Sequence, residues 1–367
     1  MVAPLPSRSG SAVGRELAPV RSKDHCVQHP NESSPGGVSQ NVGTEAQVSA
    51  ARVSGSTAWF STRMTDPAGL GTLTATSDVG RTSLATGARG GEEPDWGFGG
   101  ASRDAMRVYE RTLVGPLFEP WANLLLDELG VERGETLLDV AAGPGTLARL
   151  AAGRLGRHGQ VTACDLSPGM LAVAREKDPL IDGAPIEYFE CPAAALGVPD
   201  HAFDVATCQQ GLQFFPDPSA ALIEIRRVLK SGGRLGVSVW SAIDLCPPFA
   251  RMADAIEEVI GEQVADRYRS GPFGFPDPDQ LGQLLIAAGF DQVQVNERRL
   301  TVTFPGGPGQ FIASLMASGI ANDVEALDPQ RREALNTEAA HLLAALTFDG
   351  RMVSEMTSNV ATAVRGS

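Results

Sequence analysis

The chain has 367 residues, 43% of them apolar, which allows a sizeable core in one large domain with appendages or in two domains. Its formal net charge is −14, so phosphate-rich partners and anionic membrane surfaces are repelled on average, and neither nucleic acid nor a membrane is expected as a partner. Five cysteines without a C-x-x-C pair, no membrane-length apolar run and no secretory leader pattern point to a soluble protein of the reducing cytoplasm.

Residues 1–98 are rich in Ser, Gly, Thr, Ala and Val and poor in large apolar side chains. Such a segment cannot bury enough surface to offset its ordering entropy, so a disordered low-complexity tail is predicted. The alternative is that the true start lies downstream, at Met64 or Met106. A domain over 99–367 follows. Met106, Tyr109 and Leu113, then Trp121, Leu125 and Leu129, recur at helical spacing and predict two amphipathic helices, the second stopped by Gly130.

Strands and helices then alternate. Strands are predicted at 136–141, 161–164, 186–189, 203–208 and 234–240. Ser167-Pro168 and Asp217-Pro218 are cap-then-proline helix starts. The series predicts a parallel sheet covered on both faces. Beyond Ser241 the pattern predicts a helix at 248–260, a helix capped at Asp277, a half-buried strand or hairpin at 293–304, and helices at about 308–318 and 328–347. Residues 359–364 read as a closing strand at the sheet edge.

The chemistry concentrates in Leu137-Leu138-Asp139-Val140-Ala141-Ala142-Gly143-Pro144-Gly145, a buried strand that ends in an acid and turns through a glycine loop into a helix. Glycines let backbone approach a ligand, and the helix start offers free N–H groups and a positive dipole end. Asp165 lies twenty residues after Gly145, at the end of the next strand, where a carboxylate can accept both hydroxyls of a ribose. Gly143-x-Gly145-x-x-Ala148 also satisfies a dinucleotide pattern, so an NAD(P)-dependent oxidoreductase is the rival reading. Asp139 and the two helices before the first strand argue against it.

Four segments in order resemble class I S-adenosylmethionine-dependent methyltransferases of the type 11 group, which includes quinone C-methyltransferases. They are Leu138 to Gly145, Cys164-Asp165-Leu166-Ser167-Pro168-Gly169-Met170-Leu171, the run from Phe203 to Asp217, and the run from Arg226 to Leu235. The resemblance implies a Rossmann-like, doubly wound, mostly parallel seven-stranded α/β sheet. Helices would cover both faces, with a helical cap at about 102–129, 246–262 and 308–347. It implies S-adenosyl-L-methionine as cofactor and methyl transfer to a small organic acceptor. Ala141, Gly143 and Gly145 would line its methionine part, with Asp139 orienting the loop and the amino group. Asp165 would hold the ribose, Leu166 and Met170 the adenine, backbone at Ala193 the adenine edge, and Gln209 would stand beside the cofactor.

Two departures are visible. Ala141 replaces the family's first glycine, which is tolerable if its φ is negative, and Pro192 stands where many members carry an adenine-binding aspartate. They keep open a non-catalytic, cofactor-binding member. No catalytic base is assigned: His25, His29, His158, His201 and His341 read as tail, turn or late-helix residues. Cys164, Cys191 and Cys208 fall at separate strand ends and do not predict a metal site. Acceptor recognition is expected from Tyr109, Trp121, 240–249, Phe273, Phe275 and the helices over 308–347.

Overall fold

Leu137 and Leu138 are neighbours in sequence yet feed different cores, one on each face of a sheet. That is the consequence of a period of two in a strand buried on both sides. The structure, a computed structural model, describes residues 102–367, which lie within one compact unit. The tail predicted over 1–98, with Met64, Cys26, His25 and His29, lies outside the described residues.

The sheet order is β3-β2-β1-β4-β5-β8-β6. Strands β1 (Thr136–Val140), β2 (Gln160–Asp165), β3 (Ile186–Glu190), β4 (Phe203–Gln209) and β5 (Leu229–Trp240) are parallel, as the alternating pattern predicts. Their order reverses between β1 and β4, which opens a crevice at the carboxyl ends of those two strands. Helices α3 (Thr146–Leu155), α4 (Pro168–Arg175) and α5 (Pro218–Val228) make the crossovers. The Ser167 and Asp217 side chains cap α4 and α5 as predicted, accepting from Met170 N and Ala220 N. Helix α8 (Pro278–Ala287) begins likewise, at Asp277.

The end of the chain differs from the sequence reading. The last strand, β8 (Arg351–Val364), is not at the edge. It lies between β5 and β6 (Asp291–Phe304), antiparallel to both. Its Val360, Ala361 and Ala363 are buried, whereas β6 carries Glu297, Arg298 and Arg299, side chains suited to a solvent-facing edge. Strand β8 is also longer than predicted. It starts from a two-residue turn, Asp349-Gly350, whose φ values of 51° and 73° fit a type I′ hairpin with the short strand β7 (Thr347–Phe348). That adds an eighth strand to the seven-strand path.

The leading segment differs too. The two expected helices are one continuous rod: α1 (Arg103–Tyr109), a π-helical stretch (Glu110–Phe118) and α2 (Glu119–Leu129). Pro116 explains the irregular middle. It has no N–H to give Thr112, and its ring clashes with that carbonyl in a regular helix. The Thr112 hydroxyl also bonds back to Val108 O at 2.7 Å, which bends helices.

Helix α2 packs on the sheet through Trp121, Leu125 and Leu129, while α6 (Pro247–Val259) and α7 (Glu262–Ser270) follow β5. Between β6 and β8 come α9 (Gly307–Ala313), α10 (Ala321–Glu325) and α11 (Pro329–Leu343). No helix among the described residues is long and apolar enough to cross a membrane. Leu125 is fully buried and Ile181 is 96% exposed. Leu125→Ala is expected to cost about 2–5 kcal/mol in urea unfolding, and Ile181→Ala less than about 0.5 kcal/mol.

Candidate active site

The glycine loop is held by the next strand. Gly143 N donates to Asp165 Oδ2 at 2.8 Å, and Ser167 N donates to Oδ1 at 2.8 Å. Ala142 N reaches Cys164 O at 2.9 Å. One carboxylate therefore fixes both the loop after β1 and the turn after β2. Burial pushes Asp165 above the usual carboxylate range, and the N–H groups of Ser167 and Gly143 oppose that rise.

Asp139 points to the same sheet face as Leu137, beneath the leading rod. It is buried; Thr207 Oγ1 donates to its Oδ1 at 2.8 Å, and its Oδ2 has no partner. Burial raises its pKa to about 7, the Thr207 hydrogen bond opposes this, and the charge of Asp165 adds to it. A buried acid and a half-buried one beside one loop favour a cationic ligand and disfavour a pyrophosphate.

A narrow cavity of about 40 Å³ opens here, well under the usual volume of a ligand pocket. Asp139, Ala141, Gly143 and Thr146 form its floor, and Gln209, Tyr109 and Phe118 close it from the β4 end and the leading rod. The Thr146 hydroxyl, at the start of α3, is buried without a partner. Tyr109 and Phe118 stack with centroids 5.1 Å apart. Burial first, and then the charge of Asp165, keeps the Tyr109 phenol protonated.

The structure thus gathers Asp139, Ala141, Gly143 and Gln209 around one cavity. Asp165 and Met170 lie behind its loop; a Cβ on Gly143 would stand 3.9 Å from Met170 Sδ. Gly145 is left-handed at φ 76°, with no room for a side chain beneath the Tyr188 hydroxyl. Leu166 is exposed, and Ala193 packs at the border of the opposite core. Gln209 lines the cavity, but its amide nitrogen is spent on Phe118 O at 2.8 Å. Cys164 and Cys191 are free, buried thiols at the ends of β2 and β3.

Ala141 needs a correction. Its φ is 56°, not negative. The left-handed conformation costs a non-glycine residue roughly 1–2 kcal/mol. The neighbour that accommodates it is Gly211, after β4: a Cβ there would lie 2.6 Å from the Ala141 Cβ. Sequence reasoning missed Gly211, Pro116 and Thr207, whose partners are distant in the chain. Phe275 also falls away from the other aromatic residues, on the opposite face.

The remaining aromatic residues form a string. From Phe118 it passes to Trp240 at 6.4 Å and Phe249 at 6.3 Å, and then to Phe311 at 5.0 Å and Phe273 at 5.4 Å. Trp121 meets Trp240 edge-on at 5.7 Å.

Residues 116–303 match the model of the ubiE/COQ5 methyltransferase family. The ubiquinone/menaquinone biosynthesis C-methyltransferase UbiE of Serratia proteamaculans is 36% identical over 185 residues, covering 47% of this chain and 73% of that protein. Its counterpart in Escherichia coli K12 is 35% identical over 184 residues, with the same coverage. Among solved structures, phosphoethanolamine N-methyltransferase 2 of Haemonchus contortus is 20% identical. It aligns with a TM-score of 0.46 over 72% of this chain and 58% of its own.

Two predictions arise from this geometry. Because burial raises the Asp139 pKa, the unfolded chain ionises this group first. The unliganded fold therefore loses this contribution as pH rises from about 4 to about 7. Asp139→Asn should raise the unliganded melting temperature at pH 8 relative to wild type, with little difference at pH 4. In the loop, Gly211→Ala should destabilise by about 1–3 kcal/mol through the clash with Ala141. Ala141→Gly in that background should recover most of the loss, measured as a double-mutant cycle in urea.

Proposed function

The chain belongs to the ubiE/COQ5 methyltransferase family, and from that premise we propose that it methylates a ring carbon of a small, largely apolar aromatic acceptor. It is an S-adenosylmethionine-dependent enzyme acting on a small organic acceptor, and hydride transfer from a nicotinamide is not favoured. The observation that carries the finer reading is the shape of the site. An acidic cavity at the glycine loop adjoins an aromatic wall continuous with the helices around β5 and β8. The relatives named as quinone-pathway C-methyltransferases support carbon as the acceptor atom.

The residues fit the cofactor. The unpartnered Asp139 Oδ2 suits its ammonium group, and the unpartnered Thr146 hydroxyl with the α3 N-terminus suits its carboxylate. In this reading Asp165 accepts the ribose hydroxyls with its remaining lone pairs. Leu166, Met170 and the Ala193 backbone border the adenine. Bound S-adenosylmethionine supplies a methyl group already activated on a sulfonium.

The chain's own work is then placement. Gln209 fixes the Phe118 backbone, and Tyr109 and Phe118 wall the cavity against water. Helices α6, α9 and α11, with the leading rod, form a cap around the acceptor. Alignment of acceptor and methyl in contact can lower the barrier by about 7–11 kcal/mol. Among the described residues no histidine lines this cavity: His158 and His201 occupy surface turns, and His341 lies on α11.

Calorimetry should show binding of S-adenosylmethionine and S-adenosylhomocysteine and none of NADH. Asp165→Ala should weaken both by more than about tenfold, because the loop loses its anchor as the ribose loses its acceptor. Unchanged affinity would remove the ribose assignment. Methyl transfer to a panel of quinols, phenols and amines, with products mapped by NMR, tests the carbon acceptor; methylation only at oxygen or nitrogen would overturn it.

A further inference from the structure

The π-helical segment around Pro116 is tied to the cap through a backbone carbonyl. Gln310, on α9, donates its amide N–H to Thr112 O at 3.0 Å. The other end of the same amide accepts from Gly306 N at 2.9 Å, so the side chain is fixed at both ends. Thr112 is buried, and an unpaired carbonyl there would be costly. A second amide reaches the same rod six residues on, where Gln209 donates to Phe118 O. The π-helical segment is therefore bracketed by two glutamine side chains from separate parts of the fold.

The consequence lies in the cavity wall. In an α-helix, at about 100° per residue, positions nine apart face opposite sides of the rod. Tyr109 and Phe118 are nine apart, yet their rings stack. The wider turn makes this possible: Glu119 N bonds Val114 O, five residues back, where an α-helix bonds four back. Both rings line the cavity.

We propose that Gln310 is a positioning residue for cofactor binding: by tying Thr112 O to the cap, it holds the π-helical part of the leading rod in place and so keeps Tyr109 and Phe118 side by side as the cavity wall. The proposal rests on the reading of that cavity as the cofactor pocket. Gln310 belongs to the cap and reaches the cofactor only through the rod, so it ties the two halves of the site together.

The test uses the full chain, with S-adenosylhomocysteine binding measured by calorimetry and melting followed separately. Gln310→Ala, and Gln310→Glu, which keeps the shape but cannot donate, should weaken binding about tenfold well below the melting temperature. Pro116→Ala restores a backbone donor and favours α register. It should raise the melting temperature yet also weaken binding, because Phe118 turns away from Tyr109. In Pro116→Ala/Gln310→Ala the melting temperature should recover and the affinity should not. A merely structural Gln310 predicts the reverse: affinity equal to wild type in every folded variant, with only melting affected. That result overturns the proposal. If the Gln310 variants fail to fold, Pro116→Ala decides alone, and wild-type affinity there overturns it. Absence of binding by the wild type would overturn the pocket assignment and this inference together.

Discussion

The carboxylate of Asp165 does two things that no other group in the site does together. It accepts the backbone of the loop after β1 and the backbone of the turn after β2. A glycine loop is floppy by composition, because its residues lose much entropy on ordering. Two charge-assisted hydrogen bonds to one half-buried carboxylate offset that loss and set the loop's shape before any ligand arrives. Gly143 and Gly145 can then be left-handed, and α3 starts at the cavity, with Thr146 and Leu147 in its wall. The site depends on this contact more than on any single lining residue.

The position of the cavity follows from the sheet. Strand order reverses between β1 and β4, so the crossover helices from the two strands leave on opposite faces and open a gap above their ends. Asp139 arrives in that gap because it is one strand period from Leu137. Thr207 arrives because it is its register partner on β4. Their hydrogen bond is therefore a product of strand pairing. Burying a second acid beside Asp165 is unfavourable in the empty site, and a positively charged donor group relieves it. The same arrangement would oppose a dinucleotide, whose pyrophosphate would meet two acids.

Much of this was legible in the chain. Period-two apolar runs, proline-led caps and the spacing from Gly145 to Asp165 located five parallel strands, their helices and the loop. These features are local, so sequence distance does not hide them. What escaped was pairwise and distant. Ala141 can be left-handed because Gly211, seventy residues on, has no Cβ. The last strand reads as an edge because it is terminal in sequence. Only its buried alanines, set against the charged β6, show that it belongs inside. Gln209 was legible as a site residue, but its partner, a backbone carbonyl in the leading rod, carries no side-chain signature.

Pro116 shows how a local defect becomes a feature of the site. By propensity it should break the rod, at a cost of about 3 kcal/mol in a regular helix. The rod continues as a π-helical segment, and the surrounding fold ties it down at two carbonyls, Thr112 O and Phe118 O. Local preference and tertiary structure conflict here, and conflicts of this kind concentrate at functional positions. The outcome is a change of helical phase between Tyr109 and Phe118 that no regular helix could provide. The aromatic wall thus owes its geometry to the defect at Pro116, and the cap and the sheet each contribute one amide that holds the rod.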